Sequence, residues 1–505
     1  MRHFLTGQVL IVAILTILGK VGAFFRDILL SYTFGAGLQT DAFFIANAIP
    51  GLVFSGVFAT IALVFLPIYI RETSDDDGTR EQFINTAFIF YLGIAAGLSL
   101  LTIVFAAPLT SMIAPQASTE SKALATVLTR IMAIGFVFTS WVGLQNAIQQ
   151  AHKAFIWPIA VPVYNHIAVI IGILIAAATG GSIVIVVIAA IIGWALQSPL
   201  QWAFARQFYK LDLKKIRRPQ GALVKNLLWI SIPVFISISL DQINAILDLF
   251  LGATFGDGAV SHLSFAFRLT LLIGGVFSLP ISFFVFSYLS DALKASDIQQ
   301  TQRLLTRGIG LILVLNMPMM VYAFFQADVV VALLFERGAF GSSDAASTAA
   351  ALRFYVIGTL FMGLREILNR VFMADRNTKL LIGFSLASFT LNLVSSLYFK
   401  ETIGLPGIAL GTTFGAAVFV ILQIIYIARK RPGFLSKHLW VIGGISMVSC
   451  AVMMAARPVL QQITGASDRI QVIWDIPILG TLYLCCVGAL FYFYMRLSSF
   501  NFWKL

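Results

Sequence analysis

Apolar runs of about twenty residues, parted by short polar breaks, recur from one end of this chain to the other. A run of that length crosses the ~30 Å hydrocarbon layer of a bilayer as an α-helix. Strands of a membrane barrel are about half as long and alternate apolar with polar residues, which these runs do not. There are about fourteen such runs. With 59% of 505 residues hydrophobic and 11% charged, the balance is far from that of a soluble domain, and the chain reads as an all-α polytopic membrane protein. The first run opens at Phe4 and continues past Gly19 without a small-residue cleavage site, so it reads as a retained helix and not a signal peptide.

Basic residues report orientation, because cytoplasmic loops hold the excess of Lys and Arg. With the N-terminus inside, the cytoplasmic breaks hold Arg71, Arg80, Lys153, Arg206, the run Lys210 to Arg218, Lys225, Lys294, Arg303, Arg307, Arg376, Lys379 and the run Arg429 to Lys437. The opposite face keeps only Lys122, Arg337, Lys400, Arg457 and Arg469. This asymmetry predicts an even number of spans with both termini cytoplasmic, and it accounts for the net charge of +12 without a nucleic-acid partner. The Lys210 to Arg218 run reads as a topogenic loop, with anionic lipid head groups as a second reading. Asp75, Asp76 and Asp77 read as a solvated loop.

Nothing in the sequence points to catalysis. Cys450, Cys485 and Cys486 lie in the last two apolar runs, and His3, His152, His166, His262 and His438 are scattered without ligand spacing. Gly19-Lys20 lacks the upstream glycine and following Ser/Thr of a nucleotide-binding loop. The expectation is a transporter without a cofactor of its own, not an enzyme.

Thr33-Phe34-Gly35-Ala36-Gly37 returns as Thr254-Phe255-Gly256-Asp257-Gly258, each time closing one apolar run and opening the next. The paired second helices also end alike, at Phe65 to Tyr69 and Phe284 to Tyr288. Six runs separate the copies, which implies a parallel repeat. The expected division is a six-helix lobe over 1–212, a second over 213–433 and a further helix pair over 434–505.

Lys20, Arg26, Asp27 and Asp41 fall in the first two apolar runs, and Arg268 in the second helix of the second lobe. An ionisable side chain at the bilayer centre costs roughly 3 kcal/mol or more unless it meets water or a partner. Two readings are open: a route for a polar solute, and internal salt bridges that hold helices together. The excess of cations favours the route, and guanidinium groups suit phosphate or pyrophosphate oxygens. Asp27 and Asp41 either orient these cations and bind sugar hydroxyls, or are structural partners of Arg26 and Lys20. Asp241, Gln242, Asn244 and Asp248 interrupt the seventh run and suit either a small coupling cation or a packing network. Arg353, Arg365, Glu366, Asn369 and Arg370 mark the tenth as structural or gating, with Glu366 and Arg370 one turn apart. Pro50, Pro67, Pro158, Pro162, Pro233 and Pro280 invite kinks.

Gly22-Ala23-Phe24-Phe25-Arg26-Asp27, then Phe34-Gly35-Ala36-Gly37 and Thr40-Asp41-Ala42-Phe43-Phe44, resembles the first-helix signature of the MurJ/MviN family of lipid II flippases. This family belongs to the multidrug, oligosaccharidyl-lipid and polysaccharide exporter superfamily. Leu334-Phe335-Glu336-Arg337-Gly338-Ala339-Phe340 is similar to another of its segments. The resemblance implies fourteen helices, two six-helix lobes in a V-shaped arrangement and two C-terminal helices. It implies movement of undecaprenyl-pyrophosphate-linked muropeptide from the cytoplasmic to the periplasmic leaflet of a bacterial inner membrane, by alternating access, for peptidoglycan biosynthesis. The partners it implies are lipid II, membrane lipids and proteins of cell-wall or polysaccharide assembly. Carried over, the substrate-binding residues are Lys20 (where arginine is common), Arg26 and Arg268, with Asp27 and Asp41 beside them. A sodium site falls on Asp248, Asn392 and Thr412, but the usual acid is Ser396 here; the coupling cation is sodium or a proton. After Pro50, where many relatives carry adjacent arginines, this chain reads Gly51-Leu52-Val53-Phe54-Ser55-Gly56. A flippase for another polyprenyl-linked saccharide, a cation-coupled exporter of small molecules and a membrane scaffold remain as alternatives.

Overall fold

The computed structural model describes residues 2–72, 77–209, 221–295, 297–374, 378–430, 432–464 and 468–498. The run Lys210 to Arg218, Asp75, Asp76 and Arg376 lie outside the described residues, as do the side chains of Pro233 and Asp241. Every described element is a helix. Among the described residues, twelve helical spans have the length and apolarity to cross a membrane. The surface agrees with that environment: Trp440 is 86% exposed and Phe493 66%, an arrangement that suits lipid and not water. The chain is a multi-pass membrane protein.

Two compact units divide it. The first, Met1–Ser261 with Gly338–Phe340, begins with α1 (Arg2–Phe34), α2 (Leu38–Thr60), a π-helical turn at Ile61–Phe65 and α3 (Leu66–Glu72). It continues through α4 (Asp77–Val104), α5 (Ala106–Ile113), α6 (Thr119–Ala133), α7 (Gly135–Ala151), α8 (Ile156–Thr179), α9 (Val184–Ala205) and α10 (Gly221–Gly252). The second, His262–Arg337 with Gly341–Leu505, takes α11 (Ala259–Lys294) after its first residues. There follow α12 (Ile298–Phe325), α13 (Ala327–Phe335), α14 (Ser342–Ala374), α15 (Thr378–Ile403), α16 (Leu405–Lys430), α17 (His438–Thr464) and α18 (Asp468–Ser498).

Packing and duplication divide the chain at different places. The basic run Lys210 to Arg218 marks the expected junction of the lobes, whereas α10, which follows it, packs on α2 within the first unit. Gly56 meets the ring of Phe235 and Gly51 lies near Gln242. The stretch after Pro50 is therefore a surface of close helix approach.

Lipid tails are as apolar as leucine, so membrane helices associate through small residues that let backbones meet. Gly407, Gly411 and Gly415, spaced by four along α16, provide that for α15. A methyl on Gly407 would strike the Phe399 carbonyl, and one on Gly415 would lie 2.8 Å from Asn392 Cβ. Ser388 donates to the Gly415 carbonyl at 2.8 Å, adding a polar tie. Of the prolines expected to kink helices, Pro50, Pro162 and Pro280 lie inside α2, α8 and α11. Pro67 lacks an N–H, and its ring crowds the backbone carbonyl of Leu63 four residues back. That carbonyl belongs to the π-helical turn Ile61–Phe65, whose extra residue per turn accommodates the proline.

Candidate functional site

The duplicated turns fold alike and show why their residues recur. In the first, Gly35 has φ +65°, a left-handed angle that suits glycine, and a methyl there would also strike the Ala339 carbonyl. Gly37 precedes α2 and Thr40 is the third residue of that helix. The Thr40 hydroxyl accepts from the Gly37 N–H at 3.0 Å, as the third residue of a capping box does. In the second turn Gly256 and Gly258 have φ of +90° and +93°, Gly258 stands in the place of Gly37, and Ser261 in that of Thr40. The repeat therefore extends to a hydroxyl at the third helical position, beyond the five residues that announce it.

Asp41 replaces the local cap in this second turn. Its carboxylate accepts from the Gly258 N–H at 2.6 Å, from the Ser261 N–H at 2.7 Å and from the Ser261 hydroxyl. The side chain is 3% exposed. Asp41 thus caps the N-terminus of α11, where two otherwise orphaned donors and the positive end of the helix dipole favour a carboxylate. The partners expected of it, Lys20 or Arg26, are not the ones it has.

Lys20, Arg26 and Asp27 lie on α1. Gly19 and Gly22 face α8, next to Pro162 and His166, and Arg26 follows on the same stripe at the spacing 3 and 4. Lys20 and Asp27, seven residues apart, share the neighbouring face. Both N–H groups, Nε and Nη2, of Arg26 donate to Asp27 Oδ1, at 3.0 and 2.8 Å, with side-chain exposures of 19% and 6%. Asp27 is thereby a partner of Arg26, an arrangement that serves an oriented cation and a structural pair alike. Lys20 is half-buried, as is Arg268 on α11 in the second unit.

Charges on α14 each have a place in the packing of the second unit. Arg353 pairs with Asp328, and Arg365 lies over the ring of Phe419 at 4.4 Å. Arg370 donates to the Ser282 hydroxyl at 3.0 Å and lies 3.9 Å from Glu366. Gln423 donates to Asn369 at 2.8 Å. These contacts tie α14 to α11, α13 and α16, the structural reading of the cluster.

The residues proposed for sodium lie in different units, Asp248 in the first, Asn392 and Thr412 in the second. In the second unit Asn392 Oδ1 accepts from the hydroxyls of Ser396 at 2.9 Å and Thr412 at 3.4 Å. Ser396 is fully buried against Gly411. Asn392, Ser396 and Thr412 thus share one hydrogen-bonded cluster of neutral oxygens. Among the described residues, no three His, Cys, Asp or Glu side chains gather as a metal site.

Sequence reasoning missed a buried ion pair. Arg457 on α17 donates to Asp475 on α18 at 3.0 Å, and Tyr322 of α12 and Gln471 complete the carboxylate at 2.8 and 2.9 Å. Two charges in the last two apolar runs were the available signal. Beside them an apolar cavity of about 380 Å³ opens among Pro318, Val330, Leu334, Met453, Leu479 and Tyr483.

Comparison with known proteins decides the family. The family model described as lipid II flippase MurJ matches residues 30–470. The chain belongs to the lipid II flippase MurJ family. MurJ relatives agree over most of their length. The probable lipid II flippase MurJ of Buchnera aphidicola subsp. Baizongia pistaciae is 27% identical over 411 residues, 80% of each chain. The lipid II flippase MurJ of Burkholderia cenocepacia is 26% identical over 452 residues, 87% of each. Solved structures share the fold. A lipid II flippase MurJ in an inward closed conformation superposes with a TM-score of 0.82 at 22% identity, over 96% of this chain and all of that one. An inward-facing multidrug resistance MATE transporter gives 0.64 at 14% identity, over 83% and 94%.

Proposed function

We propose that this chain is a lipid II flippase of peptidoglycan biosynthesis, a transporter and not an enzyme. It moves undecaprenyl-pyrophosphate-linked muropeptide from the cytoplasmic to the periplasmic leaflet of a bacterial inner membrane. The observation that carries this reading is membership of the MurJ family across residues 30–470. The charged side chains inside apolar spans support it. In the mechanism Lys20, Arg26 and Arg268 hold the pyrophosphate, while Asp27 fixes the plane of the Arg26 guanidinium, so that its rigid fork meets the oxygens in one geometry. Asp41 serves the fold of the turn that presents α11 rather than the cargo.

The lipid tail stays in the bilayer as the head group passes, and access alternates between the faces as two six-helix lobes rock. Fourteen spans arise when α1 and α10 join the twelve, in a V-shaped pair of lobes over 1–212 and 213–433 with the helix pair 434–505. Both termini are cytoplasmic, by the asymmetry of basic residues. Proteins of cell-wall assembly are its expected neighbours. No step is assigned to sodium.

Complementation of a flippase-depleted cell tests the mechanism. R26A and R268A insert in the membrane at wild-type levels and fail to restore growth; normal growth of both variants contradicts it.

A further inference from the structure

Inside the first unit, helices α4, α7 and α9 enclose side-chain amide atoms that find no hydrogen-bond partner among the described residues. Gln145 on α7 is fully buried, and neither its Oε1 nor its Nε2 is bonded. One turn on, Gln149 gives Nε2 to Gln201 Oε1 of α9 at 2.7 Å, but its own Oε1 accepts nothing. Asn85 Oδ1 on α4 and the hydroxyl of Tyr209, just past α9, are also buried without a partner among the described residues.

Contacts between α4 and α7 place these groups together. Arg130 of α6 reaches the Ile103 carbonyl at 3.3 Å, and farther along Phe88 packs edge-on against Trp141 of α7 with centroids 5.1 Å apart, so α4 runs antiparallel to α6 and α7. Asn85 is three residues before Phe88 and Gln145 four after Trp141. Both lie one turn toward the same end, on the faces that carry those rings. Tyr209 stacks on Phe88 at 5.7 Å and joins the group.

We propose that this pocket of amides is a binding site for ordered water. Buried amides and hydroxyls are nearly always bonded, and a site with several convergent polar groups is where internal water resides. The composition of the pocket selects the ligand. Gln145 Nε2 and the Tyr209 hydroxyl donate, whereas Asn85 Oδ1, Gln145 Oε1 and Gln149 Oε1 accept. Water serves both kinds at once; a bare cation would serve the acceptors and face two donors. The water continues an existing chain, since Gln201 passes from Gln149 to the Trp157 carbonyl of α8 at 2.9 Å. Bridges made by exchangeable water let α4 and α7 shift without stranding a buried donor.

Hydroxyl-radical labelling of the full chain in nanodiscs, with radicals made by X-ray pulses, reads the site directly because internal water generates the radical in place. Phe88 and Tyr209 are 1% and 7% exposed. Phe265 and Tyr483, 0% and 1% exposed, are the controls, the Tyr483 hydroxyl being bonded to the Val314 carbonyl at 2.8 Å. We expect Phe88 and Tyr209 to be oxidised about ten times faster than Phe265 and Tyr483. In Q145L, and separately in N85L, that excess falls severalfold while Phe65, 0% exposed in the same unit, stays as inert as the controls, which shows that the fold there is kept. Inert Phe88 and Tyr209 in the wild type overturn the proposal. So does labelling unchanged in both variants, or labelling that appears only with sodium or potassium present.

Discussion

Replacing Asp41 by alanine separates a helix cap from a substrate ligand. The carboxylate holds the N–H groups of Gly258 and Ser261, both buried, together with the Ser261 hydroxyl. Each backbone donor left unpaired in a buried site costs about 1–3 kcal/mol. The Ser261 hydroxyl recovers part of this by turning back to the Gly258 N–H, as Thr40 does at Gly37, so the net loss is about 2–3 kcal/mol. In a cooperative unit of about 250 residues, roughly 1 kcal/mol moves Tm by about 2–4 °C, and D41A is expected to melt about 5–10 °C below wild type. D41N keeps one acceptor and turns an NH2 group toward the other donor, which places it between. S261A loses only the hydroxyl bond and shifts Tm by about 2–4 °C. Scanning fluorimetry in one detergent at one heating rate measures the order, since unfolding of such proteins is often irreversible. A D41A variant that melts within about 1 °C of wild type yet has lost transport refutes the cap and makes Asp41 a cargo ligand.

D475N strands the buried Arg457 guanidinium and is expected to cost about 3–5 kcal/mol, seen as a lower Tm, whereas the double variant R457M/D475L recovers most of it. R26K keeps the charge but not the planar fork, and transport in liposomes should fall about tenfold or more.

The helical class was legible in the sequence because hydrocarbon leaves the backbone few choices, so that length and apolarity of a run almost determine the element. The duplicated turn was legible as well, since a glycine at positive φ leaves a mark in the sequence. Its further extent, the Thr40 and Ser261 pair, emerged only when both hydroxyls were placed at the third helical position. Asp41 was seen as an intramembrane charge, but its partners lie 217 and 220 residues away and are backbone groups that no pattern reveals. The packing of α10 on α2 was equally hidden, for contact between helices depends on which faces meet. By contrast, Gly407, Gly411 and Gly415 were open to a reading of small residues spaced by four. The orphaned amides of α7 are plain in the sequence as Gln145 and Gln149, yet only the burial of both makes them informative.

Transport of lipid II by the purified chain in liposomes tests the central claim most directly, with the wild type compared with K20A, R26A and R268A and with lipid II compared with other polyprenyl-linked saccharides. The account predicts translocation of lipid II by the wild type and its loss in each variant, at unchanged reconstitution. Translocation by all three variants at the wild-type rate, or none by the wild type itself, contradicts it.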